Sequence, residues 1–173
     1  MNDPAQNVHN IDLMAVGGEG NQYLTFMLAG EEYGVDILRV QEIKGWDSVT
    51  KIPNTPAYIR GVINLRGTIV PIIDLRLRFN LDYLDYGVTT VVIVVKVKSE
   101  NSKERTMGIV VDAVSDVYNI SSEDFKEAPD FGTAVDTDFV KGLTTVNEKM
   151  VILLDIDHMC NSAELQIVDS LTE

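Results

Sequence analysis

Asp74 and Asp155 stand at equivalent places of a repeated pattern. Two carboxylates brought together can share a proton and serve acid–base hydrolysis. Their contexts are DLR and DID, without the small residue and glycine that let such groups face each other on tight loops. Each is therefore read as ending a strand and capping the turn after it. An acid hydrolase stays as a competing class, and it needs the two carboxylates within about 3–4 Å of each other. His158 and Cys160 follow Asp155 and Asp157 with the residue types of a metal centre, but their spacing matches no closed site, and His9 is the one other imidazole. Cys160 reads as a buried structural residue, and the chain is poorly supplied with nucleophile–base pairs. GGEG at 17–20 does not link a strand to a helix, so it is no phosphate loop. Asn119-Ile120-Ser121 fits a glycosylation sequon, with nothing else pointing to secretion. No catalytic residue, cofactor-binding residue or metal ligand is expected.

The charge excludes further classes. With 14 basic and 27 acidic side chains the 173 residues carry a net charge of −13, too acidic for a protein that neutralises phosphate backbones or anionic lipid. A barrel binding single-stranded nucleic acid would need a basic groove with stacking aromatics, against an aromatic content of 7%. Residues 1–80 are net −2 and residues 81–173 net −11. Four of the six arginines, Arg60, Arg66, Arg76 and Arg78, fall within a stretch whose one acid is Asp74, which reads as a local basic patch. Cys160 is the sole cysteine, so no internal disulfide can form. No Lys or Arg precedes Arg39, and no apolar run approaches a membrane span. A soluble cytoplasmic protein without membrane insertion is expected.

These residues must be positioned mainly by strands. Residues 1–20 lack a clear period and read as a mobile arm. YLTFML, then Gly30-Glu31-Glu32, then YGVDI reads as a hairpin. TKIPNTPAYIR, with Pro53 and Pro56, suits a loop. GTIVPIIDL is a strand in which Pro71 suggests an edge or a bulge, followed by a helical turn at LRLRF. TTVVIVVKVK (89–98) reads as a strongly buried strand, SENSKER as a hairpin loop, and TMGIVVDAVSDVYNI and MVILLDI as strands. SSEDFKEAP carries Ser121 and Asp124 at capping-box spacing. SAELQIVDSL (162–171) has the pattern of an amphipathic helix.

An internal repeat sets the architecture. IRGVINLRGTIVPIIDL (59–75) aligns without gaps onto VKGLTTVNEKMVILLDI (140–156), and YGVDILRVQEI (33–43) onto MGIVVDAVSDV (107–117). Gly61 falls on Gly142, Asp74 on Asp155, Gly34 on Gly108, Val40 on Val114 and Glu42 on Asp116. Units of this length with about five short strands fit small barrels better than large sandwiches. The expected class is mainly β: two pseudo-symmetric five-stranded barrels, short helices and a C-terminal helix. The expected division is an arm at 1–20, a first barrel at 21–87, and a second barrel with the helix at 88–173.

Binding features are better supplied than catalytic ones. Val40, Glu42 and Ile43 belong to a segment whose alternation leaves some side chains facing out. Asn64-Leu65-Arg66-Gly67 is a polar turn between apolar strands, in which Gly67 is taken to supply the permissive backbone. Its counterpart is Thr145-Val146-Asn147-Glu148, so the turn is repeated and the arginine is not. That asymmetry points to a task performed by one half alone, and Glu42 and Arg66 are expected to lie on neighbouring surfaces.

With EEYGVDILRVQEI, IRGVINLRGTIVPIIDLR, GIVVDAVSDV, EAPDF and Lys141-Gly142-Leu143, residues 20–171 resemble the CheW family of bacterial chemotaxis coupling proteins. The resemblance implies two SH3-like five-stranded barrels and a free-standing, non-enzymatic adaptor. Its partners would be the regulatory C-terminal domain of the histidine kinase CheA and the cytoplasmic tips of methyl-accepting chemoreceptors, in arrays at the inner face of the cell membrane. By the same likeness Val40, Glu42, Gly61 and Arg66, with Ile43 adjoining, match positions tied to receptor coupling. Val114 and Val117 match positions tied to kinase contact.

Overall fold

The computed structural model describes residues 21–98, 103–127 and 139–160. The expected arm at 1–20, most of the SENSKER loop, most of the EAPDF segment and the terminal helix lie outside the described residues. Ten strands are described: β1 (Asn21–Leu28), β2 (Glu31–Asp36), β3 (Val40–Gly45), β4 (Ile59–Leu65), β5 (Thr68–Asp74), β6 (Val91–Lys98), β7 (Glu104–Val111), β8 (Ala113–Ile120), β9 (Val140–Val146) and β10 (Lys149–Leu154). Two single-turn helices, α1 (Leu75–Arg78) and α2 (Ile156–Met159), follow β5 and β10. A 3-10 turn, Ile37–Arg39, joins β2 to β3.

The strands form two five-stranded sheets, ordered β8-β1-β2-β10-β9 and β3-β6-β7-β5-β4. The repeat is thus real, but the sheets do not follow the expected division at 87/88. Each half gives a hairpin to one sheet and three strands to the other. The joins are the antiparallel pairs β1·β8 and β3·β6 and the parallel pairs β2·β10 and β5·β7. Hydrophobic periodicity specifies which face of a strand is buried but not which strand lies beside it. The glycines of the repeat mark the parallel joins. Gly34 pairs with Leu153 and Gly108 with Ile72. A Cβ on Gly34 would lie 3.0 Å from Leu153 Cδ2, and one on Gly108 2.6 Å from Ile72 Cδ1.

Two equivalent bridges curl each sheet onto itself. Thr50, in the chain leaving β3, exchanges backbone hydrogen bonds of 2.9 and 2.8 Å with Val62 of β4. Lys126, in the chain leaving β8, does the same with Leu143 of β9, both at 2.8 Å. Unpaired sheet edges are thereby shortened, as a small barrel requires.

The core has three parts. Leu24, Phe26, Ile43, Ile73, Ile93, Ile109 and Leu154 belong to one cluster shared by both sheets. Leu65, Val70, Ile72, Val92 and Val94 fill the second sheet's own interior, and Tyr23, Ile120, Val151 and Leu153 the first sheet's. β6 explains its unbroken apolar run, since Val91, Ile93, Val95 and Val97 enter the shared cluster while Val92 and Val94 face the other way. Full burial is worth about 1.5–3 kcal/mol for each such side chain. Pro71 lies in an inner strand, opposite Val62 of β4. The ladder with β7 starts only at Ile72, so no pairing there asks for the missing N–H.

Candidate functional site

The carboxylates act as caps. Asp74, 2% exposed at the end of β5, accepts from Leu77 N–H (3.2 Å) through Oδ1 and from the Tyr86 hydroxyl (2.5 Å) through Oδ2. Asp155 accepts from His158 N–H at 3.0 Å at the start of α2. Each serves its own helical turn, as expected of strand-ending caps. Both Asp74 oxygens are thereby engaged locally, which disfavours a shared-proton pair. The half-buried Tyr86 hydroxyl is pushed well above the usual phenol range, first by desolvation and then by its bond to Asp74. Burial also pushes the Cys160 thiol up to about 12, so it is held as a neutral core group. Among the described residues no three His, Cys, Asp or Glu side chains gather as metal ligands.

The four arginines do not form a basic patch. Arg76 donates to both oxygens of Asp112 at 2.7 Å, and Arg66 bonds Glu42 at 2.9 Å. The Arg60 guanidinium lies over Tyr83 and Tyr86, and that of Arg78 over Tyr58 and Phe139. Each cation is spent on a separate contact, which sequence proximity alone could not reveal.

The surface built from β3 and β4 is asymmetric between the halves. The β3·β6 ladder has an irregularity between Val40 and Glu42, with Gln41 as the extra residue. This turns Val40 and Ile43 toward the shared core and leaves Glu42 pointing outward. Ile43 is therefore a core residue, only 5% exposed, and not the surface contact expected from its place beside the receptor-coupling positions. Val40 is half-buried at the core's rim. Across from β3, the β4–β5 hairpin turns through Arg66 (φ +50°) and Gly67 (φ +89°), with Asn64 Oδ1 accepting from Gly67 N–H at 2.8 Å. Arg66 itself adopts the left-handed conformation, so Gly67 does not supply the turn alone. Its side chain is 66% exposed and reaches Glu42 on β3. Gly61 is buried beneath this face with φ +142°, and a Cβ there would lie 2.3 Å from the Thr50 carbonyl oxygen. It permits the closing bridge and cannot offer a side chain to a partner.

β8 is the counterpart of β3, at the edge of the other sheet. Val114 and Val117 lie opposite Phe26 and Leu24 and are half-buried against the shared core. A bulge again falls between them, and Thr25 Oγ1 bonds both the N–H and the carbonyl of Asp116 there. Asp116 also accepts its neighbour's Val117 N–H at 2.8 Å, so this acid folds onto its own strand.

A family profile described as the CheW-like domain matches residues 22–164. The chain belongs to the CheW-like domain family. Chemotaxis protein CheW of Klebsiella aerogenes is 47% identical over 154 residues, spanning 89% of this chain and 90% of that protein. Chemotaxis protein CheW of Rhizobium meliloti is 36% identical over 145 residues, 84% of this chain and 90% of its own length. Among solved structures, the scaffolding protein TtCheW of Thermoanaerobacter tengcongensis matches with a TM-score of 0.73 at 34% identity, covering 84% of this chain and 95% of that one.

In this CheW-like domain the apolar surface holds residues that sequence reading passed over. Leu38 is 83% exposed on the 3-10 turn beside β3, held between the Asp36 cap on its own N–H (2.9 Å) and the Arg39–Asp157 ion pair (2.7 Å). Ile69 and Met150, equivalent in the repeat, are both exposed beside the two hairpin turns. The repeat register could have singled out that last pair, since each follows its hairpin turn by two residues.

Proposed function

We propose that this chain is a non-enzymatic adaptor of bacterial chemotaxis, coupling chemoreceptor cytoplasmic tips to the histidine kinase CheA within arrays at the inner face of the cell membrane. The face formed by Glu42 and Arg66, with half-buried Val40 at the core's rim beside it, receives the receptor, with Gly61 acting through the backbone. The β8 edge, with Val114 and Val117, receives the kinase. The observation that carries this reading is the Glu42–Arg66 pair, present in one half of a duplicated fold while the second hairpin carries Asn147 and Glu148. A purely structural turn would be served equally well in both halves. Family membership supports a scaffold, and the local use of Asp74 and Asp155 as caps favours binding over hydrolysis. Two standard interfaces of about 800 Å² per partner would cover roughly a sixth of the 9971 Å² surface. Among the described residues no helix is long and apolar enough to cross a membrane, which agrees with recruitment through partners.

The test is a paired pull-down, with a CheA C-terminal fragment and a receptor-tip fragment as separate baits. Capture by both is expected, with Arg66→Ala losing the receptor bait and Val114→Asp the kinase bait. Failure of the wild-type chain to bind either bait would overturn the reading.

A further inference from the structure

Each half of this chain is incomplete without the other. Residues 21–78 supply β1 and β2 to one sheet and β3, β4 and β5 to the other, and residues 91–160 supply the complement to both. Four ladders run between the halves, and the covalent link between them is the segment 79–90. That segment is pinned to the first half. The Tyr86 ring lies 4.3 Å from Trp46, its hydroxyl donates to Asp74 at 2.5 Å, and Arg60 covers its face. Arg76 Nη1 donates to the Asp82 carbonyl at 3.2 Å, and Trp46 N–H to the Thr90 carbonyl at 3.2 Å. Gly87, Val88 and Thr89, just beyond the clamp, are exposed.

We propose that two copies of this chain can trade halves, forming a dimer in which residues 21–78 of each copy complete residues 91–160 of the other, and that the Tyr86 clamp favours the monomer. All four ladders and the buried residues of all three core clusters survive the exchange, and what differs is the link, with Phe79, Leu81 and Tyr86 packed at the rims of those clusters. With Tyr86 docked and Thr90 bonded to Trp46, the free tether is residues 87–89, about 10 Å when extended; released, residues 79–90 reach about 40 Å. Crossing to a second body demands the longer tether, so the clamp's contacts belong to the monomer and are given up in the dimer. Mass action then sets the balance, with chain concentration opposing the high effective concentration of a half's own partner.

The experiment uses the full chain carrying either of two affinity tags. The two tagged samples are denatured, mixed and refolded together at about 200 µM, where mass action favours exchange, or they are mixed after folding. Wild type is expected to give a minor dimer peak by light scattering and cross-capture of the tags only after joint refolding. Tyr86→Ala should raise the dimer fraction at least about threefold, the scale set by losing one hydrogen bond and its ring contact. Tyr86→Phe, which keeps the ring, should fall between. Cross-capture on mixing folded samples would indicate an ordinary surface dimer and overturn the proposal. So would jointly refolded wild type and Tyr86→Phe that are both folded, by near-ultraviolet circular dichroism, and wholly monomeric. The phenylalanine variant keeps the test decisive if the alanine variant does not fold.

Discussion

The two hairpin turns, at Arg66-Gly67 and at Asn147-Glu148, share a backbone and differ in chemistry. Both pass through consecutive left-handed residues, with φ of +50° and +89° in the first and +51° and +67° in the second. Asn is a usual occupant of that conformation, whereas Arg and Glu adopt it at a cost. Each turn carries that cost once, at Arg66 and at Glu148, and the first sends a guanidinium to Glu42. In the second half, Asp116, the equivalent of Glu42, turns back onto its own backbone. Duplication thus preserved the scaffold and released the surface, so residues that differ between equivalent positions are the informative ones for function.

The comparison breaks most sharply at the glycines of the closing bridges. A Cβ at Gly61 would sit 2.3 Å from the Thr50 carbonyl oxygen and face φ +142°, while one at Gly142 would sit 3.1 Å from the Lys126 carbonyl oxygen. Gly61→Ala is expected to destabilise by about 3 kcal/mol or more, because clash and backbone strain add. Gly142→Ala should cost about 1 kcal/mol, since a few tenths of an ångström of relaxation suffice. Urea midpoints at constant m-value measure both. Equal costs would mean that the two bridges are equally tight.

Much of this was legible before the fold. The repeat located the glycines, the caps Asp74 and Asp155 and the paired hairpins, because each answers a local backbone demand that sequence records. Strand partnership was not legible, since β2 finds β10 and β5 finds β7 through contacts far apart in the chain. Ile43 was misplaced because it was grouped with its neighbour Glu42, although alternation sets adjacent residues on opposite faces; the extra residue Gln41, which leaves no mark in apolar periodicity, brings Val40 to the same core side as Ile43. The arginine cluster dispersed for a similar reason: its four partners, Asp112, Glu42 and two aromatic pairs, come from five different segments.

A second contrast sets Leu38 against Asp112, which align in the repeat. The first is left exposed, and the second is clasped by Arg76 and by Ala29 N–H (2.9 Å), tying α1 and the β1–β2 hairpin to the turn before β8. Burial opposes ionisation of Asp112, but the hydrogen bonds from Arg76 and Ala29 N–H outweigh it and hold its carboxyl below the usual range. A lowered folded-state pKa contributes stability above the unfolded value of about 3.9, and that contribution is lost as pH falls through the folded value. Asp112→Asn should therefore cost about 1–2 kcal/mol near neutral pH and make the acid limb of the stability curve shallower below about pH 4. Thermal unfolding of both proteins from pH 2 to 7 checks this; parallel curves would show that Arg76–Asp112 is not a stabilising pair.

The β3 and β8 edges can be set against each other with one substitution each. Val40→Asp and Val114→Asp place a carboxylate at equivalent, half-buried positions, so their stability costs should agree within about 0.5 kcal/mol and stay near 1 kcal/mol. Their binding defects should not agree. An unpaired charge in an apolar contact costs several kcal/mol, so Val40→Asp should lose the receptor fragment and Val114→Asp the CheA fragment, each by at least about tenfold. Titration of both fragments against both folded variants gives four affinities, and any pattern other than this crossed one contradicts the division of surfaces.

The smallest effect on stability is expected at Arg66, where the effect on coupling should be largest relative to it. Its bond to Glu42 is made by a side chain that is mostly solvated, and an exposed pair contributes about 0–1 kcal/mol. Arg66→Ala retains the left-handed backbone cost, so the folded state loses little beyond that pair, and stability should change by about 0.5 kcal/mol or less. An interface arginine, in contrast, offers a planar fork of donors that a partner can read and that Glu42 holds in orientation. Arg66→Lys keeps the charge and loses the fork, and should be partly active. Glu42→Gln removes the charge that steers the fork while leaving the arginine, and should weaken receptor binding less than Arg66→Ala. Receptor binding and melting temperature read on the same samples separate the accounts. A large fall in melting temperature for Arg66→Ala makes the residue structural, and a normal melt with intact coupling makes it a bystander. A normal melt with failed coupling, graded from alanine through lysine to wild type, is the outcome that the unshared arginine leads us to expect.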